Sequence, residues 1–347
     1  MSTARRIFPA EWAKQAAVQL TFPASDSDWA DVLDEIIPVF VEIATTIARF
    51  QPVVVVCENP KSIQKLLENL PPDRLFLAKL PSNDTWARDH GGIVVFENGR
   101  PIVLDFMFNG WGLKFPAFRD NLITAGLFKK GTYNKVYQNS PRRPRRQVGG
   151  LVLEGGSLET DGLGTLLTTE ECLLSPNRNP HFSKKQIEAK LKKLLGLDRV
   201  LWLAHGALEG DDTDAHIDTL ARFCDPHTIA FQACDDPRDS HFLPLKNMET
   251  ELAALRQTSG EPYKLVPLPW PTPCFSKNDG HRLPATYANF LIINGAVLVP
   301  TYRVKEDDAA LEILKKCFPD REIIGIDCRP IVEWHGSLHC LTMQWPR

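Results

Sequence analysis

The chain has 347 residues, 43% hydrophobic and 24% charged, with 40 Lys and Arg against 43 Asp and Glu and a formal net charge of −3. These are the proportions of a soluble globular protein, and the near balance of charge excludes a broad basic face for nucleic acid. No run approaches the roughly 18 apolar residues of a membrane span, and the opening MSTARRIFPAEWAKQ has two arginines with no apolar core behind them, unlike a secretory signal.

In chain order, Ser25 to Asp28 are placed to cap a long helix whose apolar side carries Trp29, Val32, Leu33, Ile36, Phe40, Ile43 and Ile47, with Pro38 predicting a kink or break. PVVVVC reads as a buried strand. Asn98-Gly99 lies between GGIVVFE and RPIVLDF, a strong hairpin signal. Arg142, Arg143, Arg145 and Arg146, set among prolines, read as a solvated loop. Asp161-Gly162 marks a second hairpin and Asp225-Pro226 a third. Between these two, residues 182–195 form an amphipathic helix on Ile187, Leu191, Leu194 and Leu195, followed by a strand at 200–204. The proline-bearing stretch 259–286 reads as a loop able to cover a site. Asn294-Gly295 turns a fourth hairpin, and a helix at 308–317 leads into the strand REIIGID.

Taking the second turn residue each time, the steps are 162−99=63, 226−162=64 and 295−226=69. A period near 65 residues marks a repeat architecture. A fifth hairpin is absent as a contiguous segment, but HCLTMQW at the end can pair with AAVQLTF near the start and close a ring. The expectation is one circular α/β domain over residues 1–347. The eight cysteines are scattered with no CxxC pair, which reads as a reduced, cytoplasmic protein. Cys57 and Cys172, in apolar runs, read as core thiols.

Polar clusters precede the hairpins: NDTWARDHGG at 83–92, LEGGS at 153–157, EGDDTDAHID at 209–218, the milder YANF at 287–290, and HGSLHC at 335–340. Alone, each has a bland reading: a loop ion pair at Arg88-Asp89, a Gly-rich turn, a solvated acidic loop, a core histidine or thiol. Their recurrence at matching places in a repeat puts carboxylates, a histidine and a cysteine around one pocket. Of the cysteines, only Cys340 follows such a histidine-bearing polar loop. His339 beside it points to the opposite face if both lie on a strand.

WARDHGG, FNGWG-K, LEGGSLETDGLGTLLTTEECLLSPNRNP, DDTDAHID and LHCLT together resemble the agmatine deiminase family, including its bacterial peptidyl-arginine-deiminase-like members, over roughly residues 10–346. That family belongs to the guanidine-modifying pentein superfamily. The resemblance implies a five-bladed α/β propeller of pseudo-fivefold ββαβ-type units, in agreement with the hairpin period. It implies Cys340 as nucleophile, His216 as general acid and base, Asp89 and Asp218 as the carboxylates gripping a guanidinium, and Glu154 as a further acid. Trp86 matches the aromatic wall and Asn289 a polar residue of the fourth unit. A homodimer or larger homo-oligomer is implied as well.

The chemistry calls for these residue types. A guanidinium is planar, cationic and resonance-stabilised; paired carboxylates can take its N–H donors two at a time and hold its carbon over a thiol. Thiolate attack, loss of ammonia and hydrolysis of the S-alkylthiouronium need a positioned acid and base but no metal or organic cofactor. The acids Asp84, Asp211, Asp212 and Asp214 favour a dicationic substrate, with Asp84 and Asp212 assigned to binding it. Agmatine, converted to N-carbamoylputrescine in polyamine biosynthesis, is therefore expected ahead of peptidyl-arginine or free arginine. Two rivals of other classes are a metal-dependent hydrolase built on Asp211–Asp218 and a catalytically dead binding module. Two departures from the family pattern stand out: Gly91-Gly92 where Gly-Pro is usual, and Trp334-His335-Gly336-Ser337 where a glycine-rich loop usually precedes the His-Cys pair.

Overall fold

The computed structural model describes residues 6–347; the first five residues, part of the opening segment read above, lie outside it. Its strands form five sheets. Four are built on an antiparallel hairpin and the fifth on an antiparallel pair from the two ends of the chain; in each, one strand of that pair joins in parallel with a later one after a helical crossover, the connection a parallel pair needs. Ile93–Glu97 and Arg100–Met107 turn at Asn98-Gly99, and Arg145–Val152 joins in parallel. Glu159–Thr160, Thr165–Thr169 and Arg199–Leu203 repeat the arrangement. So do Ala221–Asp225, Thr228–Gln232 and Lys264–Leu268, then Leu291–Ile293, Ala296–Thr301 and Glu322–Asp327.

The fifth sheet joins the two ends of the chain. Thr342–Pro346 lies antiparallel to Gln15–Thr21, with Thr342 opposite Leu20, and Val53–Cys57 and Leu75–Lys79 extend it in parallel. The pairing expected between the first and last strand-like segments is present.

The periodic helices also form, as Lys184–Leu195 and Asp307–Cys317. Ser183 caps the first with a capping box to Gln186, and its Ile187, Leu191 and Leu195 are buried while Leu194 is half-buried. Val53–Cys57 is buried throughout, as the unbroken apolar run requires.

Three local expectations are corrected. The first helix runs Leu33–Phe50, preceded by a 3-10 turn at Ala30–Val32, and no side chain of Ser25–Asp28 caps it. Pro38 does not break it. The bond that proline forfeits is the one to the Asp34 carbonyl, and both residues are exposed, so water satisfies that group. The stretch 259–286 contains the strand Lys264–Leu268: its apolar residues find a parallel edge to pair with, which outweighs the local proline. Arg145 and Arg146 begin a strand and pair with Glu97 and Asp105, while Arg142 and Arg143 stay exposed in the loop. Among the described residues, no helix is long and apolar enough to cross a membrane.

Candidate active site

Each polar segment ends just before the first strand of a hairpin, so five separate sheets deliver side chains to one place. Cys340, two residues before Thr342–Pro346, has its Sγ 3.3 Å from Asn289 Nδ2 and 4.0 Å from Asp218 Oδ2. Asn289, before Leu291, accepts the backbone N–H of His339 at 2.9 Å on its Oδ1 and so fixes the turn that carries the thiol. His216, wholly buried, faces Asp89 Oδ1 at 3.6 Å through Nδ1 and Glu154 Oε2 at 3.8 Å through Nε2. All five candidates for the reaction, Cys340, His216, Asp89, Asp218 and Glu154, are thus brought together, with Asn289.

The carboxylates are fixed by different means. Asp89 Oδ2 accepts from Trp111 Nε1 at 2.9 Å, and its Oδ1 from the Gly156 backbone N–H at 3.0 Å. Glu154 takes Arg178 Nε on both oxygens, at 2.9 and 3.0 Å. Asp218 accepts from His339 Nδ1 at 2.7 Å on Oδ2, whereas its buried Oδ1 has no hydrogen-bond partner. A bare carboxylate oxygen in a buried site is costly, and a bound cation would compensate it.

Charges follow from this crowding. Burial, then Asp218 and Asp89, push the Cys340 thiol well above its ordinary range, which favours the protonated form. Burial alone would neutralise His216, but Asp89, the Cys172 thiol and Glu154 outweigh it and raise its pKa well above the ordinary value. Asp89 is pushed up to about 6, chiefly by burial, with Asp218 and Glu154 adding repulsion and His216 opposing. Glu154 and Asp218 are also penalised by burial, yet hydrogen bonds and charges from His216 and Arg178, and from His339, hold them below the usual carboxylate range.

A cleft of about 530 Å³ opens onto the sulfur, and its walls include Trp86, Trp111, Trp334, His335, Asp28, Asp84 and Asp212. Trp86 and both predicted binding acids therefore line it. Asp84 is tethered, accepting from Trp29 Nε1 at 2.8 Å and the Thr85 N–H at 2.7 Å; burial, with Asp28 adding repulsion, still raises its pKa. Asp211 and Asp214 are spent on the loop itself: Asp211 accepts from the Thr213 and Ala215 N–H groups, and Asp214 pairs with Lys114 and Arg178. Glu154, Cys172 and His216 bring one ligand atom each within 4.8 Å of one another, with Arg178 Nε on both glutamate oxygens.

Several participants escaped the sequence reading. Trp111 was visible only as part of FNGWG, where left-handed φ values of 68°, 54° and 82° at Gly110, Trp111 and Gly112 turn the indole N–H toward Asp89. Arg178 reaches Glu154 from 24 residues downstream. Cys172 is buried as expected, yet its sulfur is 3.9 Å from Glu154 Oε2, so it borders the site and is not simply core.

The glycines of the polar segments are steric requirements. A Cβ on Gly156 would stand 2.4 Å from His216 Nδ1 and 2.9 Å from Asp89 Oδ1. Gly156→Ala is expected to displace that pair and cost about 100-fold or more in kcat/KM with the fold retained, since misplacements of about 1 Å cost that much; turnover alongside a melting curve checks it. A Cβ on Gly336 would meet the Trp86 ring at 2.4 Å, so this glycine seats the aromatic wall. The other departures are also accommodated. A side chain at Gly92 would strike Val103 at 2.4 Å, and His335, at φ 66°, is held by Nδ1–H donating to the Gly210 carbonyl at 2.6 Å and by stacking on His281.

Comparison with known proteins agrees with this architecture. The family model for Porphyromonas-type peptidyl-arginine deiminase matches residues 7–346. The agmatine deiminase of Pseudomonas syringae pv. tomato is 34% identical, the match covering 97% of this chain and 95% of that protein. A Porphyromonas gingivalis structure described as a candidate arginine deiminase superposes with a TM-score of 0.91 at 54% identity over 99% of both chains. A substrate-bound C. jejuni agmatine deiminase superposes with a TM-score of 0.90 at 38% identity, over 100% of this chain and 98% of that one. The chain belongs to the Porphyromonas-type peptidyl-arginine deiminase family, together with the agmatine deiminases it resembles along its whole length.

Proposed function

We propose that this protein hydrolyses agmatine to N-carbamoylputrescine and ammonia, a step of putrescine and polyamine biosynthesis, through a covalent thiouronium on Cys340. The observation that carries this reading is a buried thiol flanked by two carboxylates, Asp218 at 4.0 Å and Asp89 across the same cleft. We also infer that the five sheets are the blades of a pentein propeller, supported by the repeated strand order and by the pairing of the chain's two ends.

The planar cation lies between Asp89 and Asp218, against Trp86, with its carbon over Sγ. Its charge neutralises the carboxylates that hold the thiol protonated, so on binding the thiol releases its proton to solvent and becomes the thiolate nucleophile. Sγ adds to the carbon, and protonated His216 gives its proton to the departing nitrogen. Ammonia leaves, and His216, now neutral and oriented by Glu154 and Asp89, takes a proton from the water that attacks the thiouronium. The adduct collapses to the ureido product and a free thiol.

The substrate's tail decides between guanidino compounds. The cleft walls carry Asp28, Asp84 and Asp212 but no Lys or Arg. An ammonium finds acids there; the carboxylate of free arginine finds no cation. Ammonia release from agmatine, free arginine and a blocked arginyl peptide, measured side by side, is expected to favour agmatine by about 100-fold or more in kcat/KM, two charge-assisted contacts' worth. Faster turnover of arginine or of the peptide overturns the choice of substrate while leaving deimination intact.

A further inference from the structure

We propose that Glu11 and His339 form a relay that holds Asp218 in its substrate-gripping position, making the segment ahead of Gln15–Thr21 part of the catalytic apparatus. The inference rests on Asp218 as a guanidinium carboxylate. His339 immediately precedes Cys340, but its ring is 1% exposed and does not line the cleft. Nδ1 donates to Asp218 Oδ2 at 2.7 Å, and Nε2 stands 2.7 Å from Glu11 Oε2.

Proton counting makes this a relay. A neutral imidazole carries a single N–H, so two carboxylates at 2.7 Å on its two nitrogens require a proton on each. Burial, then Arg222 and Arg88, hold the ring's pKa below the ordinary imidazole value, with Glu11 and Asp218 opposing, so the second proton is held only by the carboxylate it bridges. Glu11 is the group that keeps the second proton in place. It is itself held by Arg222 at 3.1 Å and Arg88 at 3.5 Å, and Arg222 is anchored by Glu159 at 2.6 Å and the Phe290 carbonyl at 2.7 Å. With His339 committed to Oδ2, Asp218 presents Oδ1, the oxygen without a partner, to the cation. Removing the Glu11 charge lets the ring neutralise, which weakens its bond to Asp218 and turns that carboxylate into a poorer receptor.

The test compares Glu11→Gln, His339→Asn, His339→Gln and Asp218→Asn in steady-state turnover of agmatine from pH 5 to 9, with melting curves for each. Asparagine keeps a donor near the Nδ1 position and glutamine one near Nε2. His339→Gln, which loses Asp218, is expected to raise KM by about 10- to 100-fold, and His339→Asn by several-fold less. Glu11→Gln is expected to move the alkaline limb of kcat/KM to lower pH, because the ring then gives up its second proton sooner as pH rises, a shift that mere loss of packing does not produce. If His339→Gln does not fold, the Glu11→Gln profile decides. Equal losses in Asn and Gln variants, tracking equal losses of melting temperature, or an unmoved limb in Glu11→Gln, overturn the relay. Asp218→Asn separates the two levels: near-normal turnover there removes Asp218 as a guanidinium carboxylate, whereas its inactivity beside normal His339→Gln and Glu11→Gln enzymes removes only the relay.

Discussion

Cys340→Ala is expected to lose at least about 10⁴-fold in kcat, the scale seen when a covalent nucleophile is removed from a preorganised site, while still binding agmatine. The loss should be that large because nothing nearby can replace the sulfur. Asp89, Asp218 and Glu154 are occupied by Trp111 and Gly156, by His339 and by Arg178. Cys172, close to His216 and Glu154, is absent from the cleft walls and has its own thiol raised by burial. Binding should persist, because the grip on the cation comes from carboxylates on other sheets. Calorimetry on the variant and trapping of a mass adduct on the wild type check the two halves. Retained turnover sinks the covalent mechanism. Since the raised pKa favours the protonated form, a neutral alkylating reagent should label Cys340 slowly at pH 7, and a small amidinium-bearing one much faster, the cation supplying the charge that frees the thiolate.

Asp89→Asn is the second large effect, about 10³-fold in kcat/KM, because Asp89 faces His216 and is the carboxylate proposed to grip the cation. The pH profile gives the sharper reading. Burial pushes the Asp89 pKa up to about 6. Above that value the residue is a carboxylate able to bind the guanidinium and keep His216 protonated; below it, both functions fade. Activity should therefore fall as pH drops through about 6, and that limb should vanish from whatever activity the asparagine variant retains. An unchanged limb assigns it to another group. The same shift carries a stability consequence of definite sign. A raised acid favours folding below its ordinary pKa of 3.8, and that contribution is lost as pH rises through about 6. The ionised Asp89 is thus a burden on the fold that function requires.

Much of this was legible in the residues. Asn98-Gly99, Asp161-Gly162, Asp225-Pro226 and Asn294-Gly295 are local turn chemistry, and local chemistry survives folding: each sits at a hairpin. The same holds for the amphipathic helices, whose apolar spacing already selects a buried face. Pro38 and the stretch 259–286 misled because their fate depends on surroundings: whether a freed carbonyl meets water, and whether a strand edge is free to accept Lys264–Leu268.

The residue types of the site, a thiol with a histidine and several acids, were determined by the sequence, because each stands a few residues ahead of the first strand of a sheet's antiparallel pair. Which oxygen each acid keeps free was decided only by the tertiary structure. Arg178 reaching Glu154, Trp111 capping Asp89 and His339 dividing its protons between Glu11 and Asp218 are contacts between segments far apart in the chain. Such pairings set the buried charges, since desolvation and nearby opposite charge act through space and leave no periodic trace along the backbone.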